Sequence, residues 1–460
     1  MRQAVATLTA SCAHLYYVSS FTSLDRESVR RTGAESANRR IGFGEIKGVA
    51  IVSHVLSLRC KECSREYPVE ALNVCDFCFG PLEVVYDYDA ITKVTSRERI
   101  MGGPNSLWRY ADYLPAEHNP AVDINAGFTP LLRARGLAEL LGLDELWIKN
   151  DSVNPSYSFK DRVVAIASAK ALELGFDTIA CASTGNLACA VAAVAARGGM
   201  KAYVFIPSDL EAGKVLGAAI YNPTMVSIDG SYDDVNRLCS EVADQYPWAF
   251  VNINVRPFYA DGSKTLGFEV AEQLGWRSPD HVVAPSASGA MFTKIYQGLK
   301  EFERTGLIGE VHTQMHCAQA RGCSPIATAY EEGRFVIRPV KPNSVATSLA
   351  IGNPADGYYA LKVIEASNGS AVITEENEVA EGVKLLAETE GIFTEGAGGV
   401  AIMGLKRLVE TGKIKSNESV VVYITGNGLK TTELVSDVVN PLHIEPSVEA
   451  FEIAMAERAK

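Results

Sequence analysis

The 460-residue chain contains no apolar run near the roughly 20 residues needed to cross a bilayer as a helix. A membrane-spanning helix is therefore not expected. Positive charge is also in deficit: Lys plus Arg number 43 and Asp plus Glu 55, a formal net charge of −12. Proteins that grip a phosphate backbone usually display a basic face, so nucleic acid is not an expected partner, and the acidic balance mainly favours solubility. There is no internal repeat and no low-complexity linker, which excludes a solenoid of stacked units. From Met1 to Leu24 the only charged residue is Arg2. Arginine is too scarce there for a transit peptide, and Ala4–Ala10 is broken by Thr7 and Thr9 where a secretory signal needs a clean apolar block. Residues 1–51 read as a poorly ordered extension. Recognisable domain sequence begins at Ser53-His54-Val55, which suggests that the physiological chain starts at Val52 through a non-standard start codon.

What is present is an ordinary globular composition, 47% hydrophobic and 21% charged, over a length that accommodates two or three domains and a large buried core. Of the ten cysteines, Cys60-x-x-Cys63 and Cys75-x-x-Cys78 form two knuckles separated by eleven residues. Each tight turn lets two thiolates reach one ion, and two turns complete a tetrahedral Zn²⁺ site with no open position, which makes such a site structural. A mini-domain over residues 52–92 would bury too little surface to hold itself without a staple. Disulfides, or knuckles that have lost their metal, are the competing readings. Cys12, Cys181, Cys189, Cys239, Cys317 and Cys323 show no paired spacing and read as small buried hydrophobes in a reducing cytoplasm.

Beyond Asp89, short β-branched runs alternate with longer Ala- and Leu-rich segments. Strands are expected at Glu145–Lys149, Thr178–Cys181, Ala202–Ile206, Met225–Ile228, Phe250–Asn252, His281–Ala284, Thr313–Ala318 and Val420–Ile424. Helical patterns lie between them, at Val163–Leu174, Leu187–Arg197, Tyr232–Gln245, Ser263–Leu274, Met291–Thr305 and Glu378–Glu390. Several strands are apolar on both faces, as when helices cover both sides of a parallel sheet. Residues 93–460 are thus expected to form an α/β unit of two lobes, the smaller over about 165–275, with ligands near the carboxyl ends of strands.

Four loops carry side chains of identifiable chemistry. Ser158-Phe159-Lys160-Asp161-Arg162 sets Lys160 at a helix start beside two charged residues. Such a lysine can form an imine with an aldehyde and later act as a base, although a surface lysine near a helix start is the commoner origin of this pattern. Ala182-Ser183-Thr184-Gly185-Asn186 joins a strand to a helix, where amides and hydroxyls suit a carboxylate unless Ser183 and Thr184 serve only as caps. Pro285-Ser286-Ala287-Ser288-Gly289-Ala290 lets a phosphate approach the backbone, with a helix dipole behind it. Tyr423-Ile424-Thr425-Gly426-Asn427-Gly428 follows the last strand and offers the Thr425 hydroxyl; facing a pyridine nitrogen, it would leave that nitrogen largely unprotonated.

Together with Ala260-Asp261-Gly262-Ser263-Lys264-Thr265, Gly322-Cys323-Ser324-Pro325, Ile351-Gly352-Asn353-Pro354-Ala355-Asp356-Gly357 and Thr425-Gly426-Asn427-Gly428-Leu429-Lys430, these motifs resemble the threonine synthase family, zinc-ribbon-bearing members of the fold-type II pyridoxal 5′-phosphate enzymes. The resemblance runs from about Ser53 to Ser447. It implies a tryptophan synthase β-like fold, with two three-layer α/β lobes and parallel-rich sheets preceded by a small zinc ribbon. It further implies a cytoplasmic homodimer that converts O-phospho-L-homoserine and water to L-threonine and phosphate by γ-elimination and β-addition of water. By this resemblance Lys160 carries the cofactor as a Schiff base and moves protons at the substrate α-carbon. Asn186 contacts the cofactor O3′, Ser286, Ala287, Ser288, Gly289 and Ala290 hold its phosphate, and Thr425 faces the ring nitrogen. Ser183, Thr184 and Gly185 bind the substrate carboxylate. Ser158, Arg162 and Lys264 contact the substrate phosphate; a solvated Lys264 and an Arg162 paired with Asp161 are the alternatives.

The chain departs from the family pattern near the expected substrate cleft. Tyr157 stands where a small residue or His is usual, Cys189 and Ala190 where polar residues are usual, and Gly396 where Thr is usual. These changes keep open a related enzyme that performs β- or γ-replacement on a different phosphorylated amino acid, as in cysteate synthase or specialised metabolism. Retention of Lys160, Asn186 and Thr425 disfavours a non-catalytic relative.

Overall fold

The computed structural model describes residues 53–208, 212–230 and 232–458. The extension expected over residues 1–51 and the start expected at Val52 lie outside the described residues. No helix among the described residues is long and apolar enough to cross a membrane.

A three-stranded antiparallel leaflet comes first, with Val55–Cys60 between Glu66–Tyr67 and Leu82–Tyr86. Its knuckles turn sharply because Ser64 and Phe79, each following the second cysteine of its pair, take φ values of 60° and 58°. So small a sheet cannot bury a core alone. Leu58, Leu82, Val84 and Tyr86 instead join the apolar core of the helices behind it. Two phenols extend that contact: Tyr86 Oη donates to Asp261 at 2.6 Å and Tyr88 Oη to Glu301 at 2.7 Å.

The large sheet has six strands in the order Ser370–Thr374, Gln314–Ala320, His281–Pro285, Ser419–Ile424, Glu145–Asn150 and Leu131–Arg133, parallel except at the last pair. A second sheet of four parallel strands runs Thr224–Ile228, Lys201–Pro207, Thr178–Ala182 and Ala249–Phe250. Every residue of Ser419–Ile424 and of Thr178–Ala182 is buried, which is why those runs are apolar on both faces. Helix Lys160–Glu173 is buried at each position from Asp161 to Ala171, so its Ala- and Val-rich surface has no solvent face to keep polar.

This topology positions the site. His281–Pro285, Ser419–Ile424 and Glu145–Asn150 are parallel neighbours, so the loops that follow them emerge at one edge of the sheet. Those loops are Ser286–Gly289, Thr425–Asn427 and the segment from Asp151 to Phe159.

Candidate active site

The segment before Lys160 is clamped to the loop after the last strand. Phe159 N donates to Thr425 O at 2.9 Å, Ser158 forms an antiparallel bridge with Gly426, and Asn427 N donates to Tyr157 O at 3.1 Å. Lys160, half-buried, opens its helix, and its Nζ donates to Tyr259 Oη at 2.9 Å. Next to it Asp161 is buried and accepts from Ser156 N at 2.6 Å. Burial pushes the Asp161 carboxyl up to about 6.

Asn186 begins the helix Asn186–Gly198 and reaches the same place from the second sheet. Its Nδ2 donates to both carboxylate oxygens of Glu395, at 3.1 and 3.0 Å, and its Oδ1 accepts from Lys430 Nζ at 2.7 Å. Glu395 is buried, which raises its carboxyl above the usual range; it also accepts from Ser348 Oγ at 3.1 Å, and its backbone N donates to Gly426 O at 3.1 Å. Ser183, Thr184 and Gly185 form the open turn before Asn186, with Gly185 exposed.

The remaining wall is the turn before helix Ala290–Arg304, where Gly289 takes φ 89°. Ser286 Oγ is buried without a hydrogen-bond partner, and so is Ser158 Oγ. Among the described residues the N–H groups of Ala287, Ser288 and Gly289 donate to no protein acceptor. Buried native hydroxyls are nearly always paired, so unpaired ones beside a helix N-terminus fit a phosphate that completes them. Lys160, Asn186, Thr425 and the Ser286–Ala290 turn are thus compatible with pyridoxal phosphate.

A model of the pyridoxal-phosphate dependent enzyme family matches residues 122–426. The chain is 38% identical over 375 residues to a threonine synthase of Methanocaldococcus jannaschii, covering 81% of this chain and 92% of the relative. Against a threonine synthase of Methanosarcina acetivorans it is 37% identical over 407 residues, 88% of this chain and 99% of the relative. The chain belongs to the threonine synthase family. Solved structures of the same fold include diaminopropionate ammonia lyase of Escherichia coli, at TM-score 0.58 and 21% identity over 69% of this chain and 89% of that one. A threonine deaminase of Solanum lycopersicum matches at TM-score 0.56 and 19% identity over 68% and 88%.

Two residues expected at the substrate phosphate lie elsewhere. Arg162 is fully buried and saturated by protein acceptors: its guanidinium donates to Asp151 at 2.6 and 2.9 Å, to Glu269 at 2.7 Å, and to Thr129 and Thr265 at 3.0 Å each. Its partners are Asp151 and Glu269, not Asp161. Lys264 is equally buried, between Asp261 at 3.1 Å, Glu301 at 3.2 Å and the carbonyl of Tyr113 at 2.9 Å. It is neither solvated nor open to a ligand. Both cations tie neighbouring elements together, because those elements bring carboxylates directly against them.

The departures from the threonine synthase pattern at Cys189, Ala190 and Gly396 have packing explanations, and the one at Tyr157 has none in the structure. Cys189 and Ala190 belong to the buried core, and a Cβ on Gly217 of helix Ala212–Ala219 would stand 3.0 Å from Cys189 Sγ. Gly396 lets the 346 loop close on its helix: a Cβ there would meet Ala346 Cα at 3.1 Å. Tyr157 is 54% exposed and takes φ 66° in the turn before Lys160. Sequence reading passed over Tyr259, Glu395 and Lys430 as site residues. All three lie in or beside family motifs, but only folding brings them to Lys160 and Asn186.

The four thiols of Cys60, Cys63, Cys75 and Cys78 lie within 4.8 Å of one another, with Cys60 to Cys78 at 3.4 Å and Cys63 to Cys75 at 3.6 Å. No disulfide joins them. A zinc tetrahedron with Zn–S near 2.3 Å sets sulfurs about 3.8 Å apart, so the cluster fits that ion. Backbone N–H groups of Cys63 and Cys78 point at Cys60 and Cys75 Sγ, at 3.5 and 3.4 Å, and Tyr67 Oη donates to Cys75 at 3.0 Å. Such donors favour thiolates and orient them.

Proposed function

We propose that the protein converts O-phospho-L-homoserine and water to L-threonine and phosphate, with pyridoxal 5′-phosphate at Lys160. The observation that carries this reading is the 37% identity along 99% of a threonine synthase. When bound, the cofactor supplies an electron sink for carbanion chemistry at the substrate's α- and β-carbons. Lys160 would hold the cofactor through its amine and would take and return protons at the substrate α-carbon. Ser286, Ala287, Ser288, Gly289 and Ala290 would hold the cofactor phosphate, and Thr425 would offer its hydroxyl to the ring nitrogen. Asn186, oriented by Glu395 and Lys430, would contact the cofactor O3′. Ser183, Thr184 and Gly185 offer hydroxyl and amide donors to the substrate carboxylate, and Ser158 offers its unpaired hydroxyl to the phosphate end. Lys430 supplies positive charge in place of the buried Arg162 and Lys264.

The same reading makes residues 52–92 a ribbon stapled by zinc on Cys60, Cys63, Cys75 and Cys78, and the enzyme a cytoplasmic homodimer. Its decisive test is turnover of O-phosphohomoserine by purified protein. Phosphate and threonine are expected in equal amounts; turnover only of another amino acid would overturn the substrate assignment. Metal analysis is expected to find one zinc per chain.

A further inference from the structure

Among the described residues Lys160 Nζ makes one hydrogen bond, to Tyr259 Oη at 2.9 Å. The nitrogen also lies 5.5 Å from the Tyr259 ring centroid and 4.8 Å from that of Phe159, so two aromatic rings wall the amine. No role proposed above uses this phenol. Tyr259 is only 8% exposed, so water competes little for its oxygen.

The phenol's place is fixed from both ends of its helix, Arg256–Asp261. At the far end, a Cβ on Gly262 would stand 2.7 Å from Val163 Cα and 2.8 Å from Arg162 O. The two backbones therefore touch just behind Lys160, and neither can slide past the other. At the near end Arg256 pairs with Asp356, whose backbone N donates to Ser288 O at 2.9 Å. Tyr259 thus sits on a short segment braced against both the Lys160 helix and the turn proposed to hold the cofactor phosphate.

We propose that Tyr259 is a positioning residue for Lys160: its phenol oxygen holds the amine in one orientation whenever that amine is not bonded to the cofactor. This rests on the reading of Lys160 as the cofactor-bearing lysine. A free lysine side chain has much rotamer freedom to lose, and an oriented nucleophile reacts faster than a wandering one. Each turnover releases and recaptures the amine, so the orientation matters at every cycle as well as during cofactor loading.

The test is the rate at which the visible absorbance of lysine-bound pyridoxal phosphate appears after the cofactor is mixed with apoprotein. For Tyr259→Phe that rate is expected to fall about 5- to 10-fold, the worth of one hydrogen bond. The thermal midpoint should stay unchanged, and kcat should fall with little change in KM. Tyr259→His keeps a hydrogen-bonding ring and is expected to recover part of the rate. A Phe variant as fast as wild type, or a His variant no faster than Phe, overturns the proposal. Should Tyr259→Phe not fold, Tyr259→His is read against wild type: a loss beyond about tenfold counts against positioning by the hydrogen bond, and a smaller one for it. If wild-type protein develops no such absorbance, the cofactor assignment to Lys160 fails, a result distinct from equal rates in wild type and variant.

Discussion

Lys160 and Arg162 stand two residues apart on one helix and face opposite kinds of surroundings. On the Lys160 side, the hydroxyls of Ser158 and Ser286 are buried without partners, the amine has a single hydrogen bond, and Asp161 is raised to about 6 by burial. Behind the helix, Arg162 and Lys149 surround Glu269, with Lys149 Nζ 2.6 Å from its carboxylate. Burial alone would raise Glu269, but the two cations reverse that and hold it at about 2. One region leaves polar groups waiting for a ligand; the other satisfies every charge within the protein. The difference separates binding from bracing better than residue type does, since Lys, Asp and Glu occur in both regions.

Removing the central group of each region breaks the contrast hardest. Lys160→Ala should lower turnover by about three orders of magnitude and abolish the cofactor's visible absorbance, while circular dichroism and the melting point stay close to wild type. Arg162→Met should do the reverse. It leaves Asp151 and Glu269 buried without their cation, at a cost of about 3–5 kcal/mol in denaturant unfolding. If Arg162→Met stays stable but loses substrate phosphate affinity, the bracing assignment is wrong.

A pH series sharpens the comparison next. The folded carboxyl of Asp161 binds its proton more tightly than the unfolded one, so its stabilising contribution is present below about pH 4. It is lost as pH rises toward about 6, a change of about 3 kcal/mol at most. Urea unfolding of the apoprotein across that window should slope downward with pH, and Asp161→Asn should flatten the slope. The smallest effect is expected at Ser286. Ser286→Ala should weaken pyridoxal phosphate binding about tenfold, yet leave the apoprotein as stable as before or slightly more so, because it deletes an unpaired buried hydroxyl. Loss of apoprotein stability in this variant would mean that the hydroxyl has a structural partner.

Sequence alone carried the α/β architecture, the eight principal strands, the cysteine knuckles and the loops that meet at the carboxyl edge of the large sheet. Runs such as Val420–Ile424 are apolar on both faces because the sheet is covered on both sides, and that pattern survives in one dimension. The edge strands Leu131–Arg133 and Ser370–Thr374 were not legible, one being three residues long and the other opening on Ser370. The helix Gly396–Glu410 was hidden by its glycines, which disfavour an isolated helix by about 1 kcal/mol each. Burial on nearly every side supplies what propensity lacks.

The orientation of side chains was decided only by the fold. Lys160, Arg162 and Lys264 are three cations in family motifs, and nothing local distinguishes the one that opens to the cleft from the two that are sealed. Their partners come from far away: Glu269 is 107 residues from Arg162, and Tyr259 is 99 from Lys160. A sequence fixes which groups are available and roughly where each loop emerges. Whether a charge is left free or neutralised depends on what the other helices bring against it, because in a low-dielectric interior a nearby carboxylate outweighs any local preference.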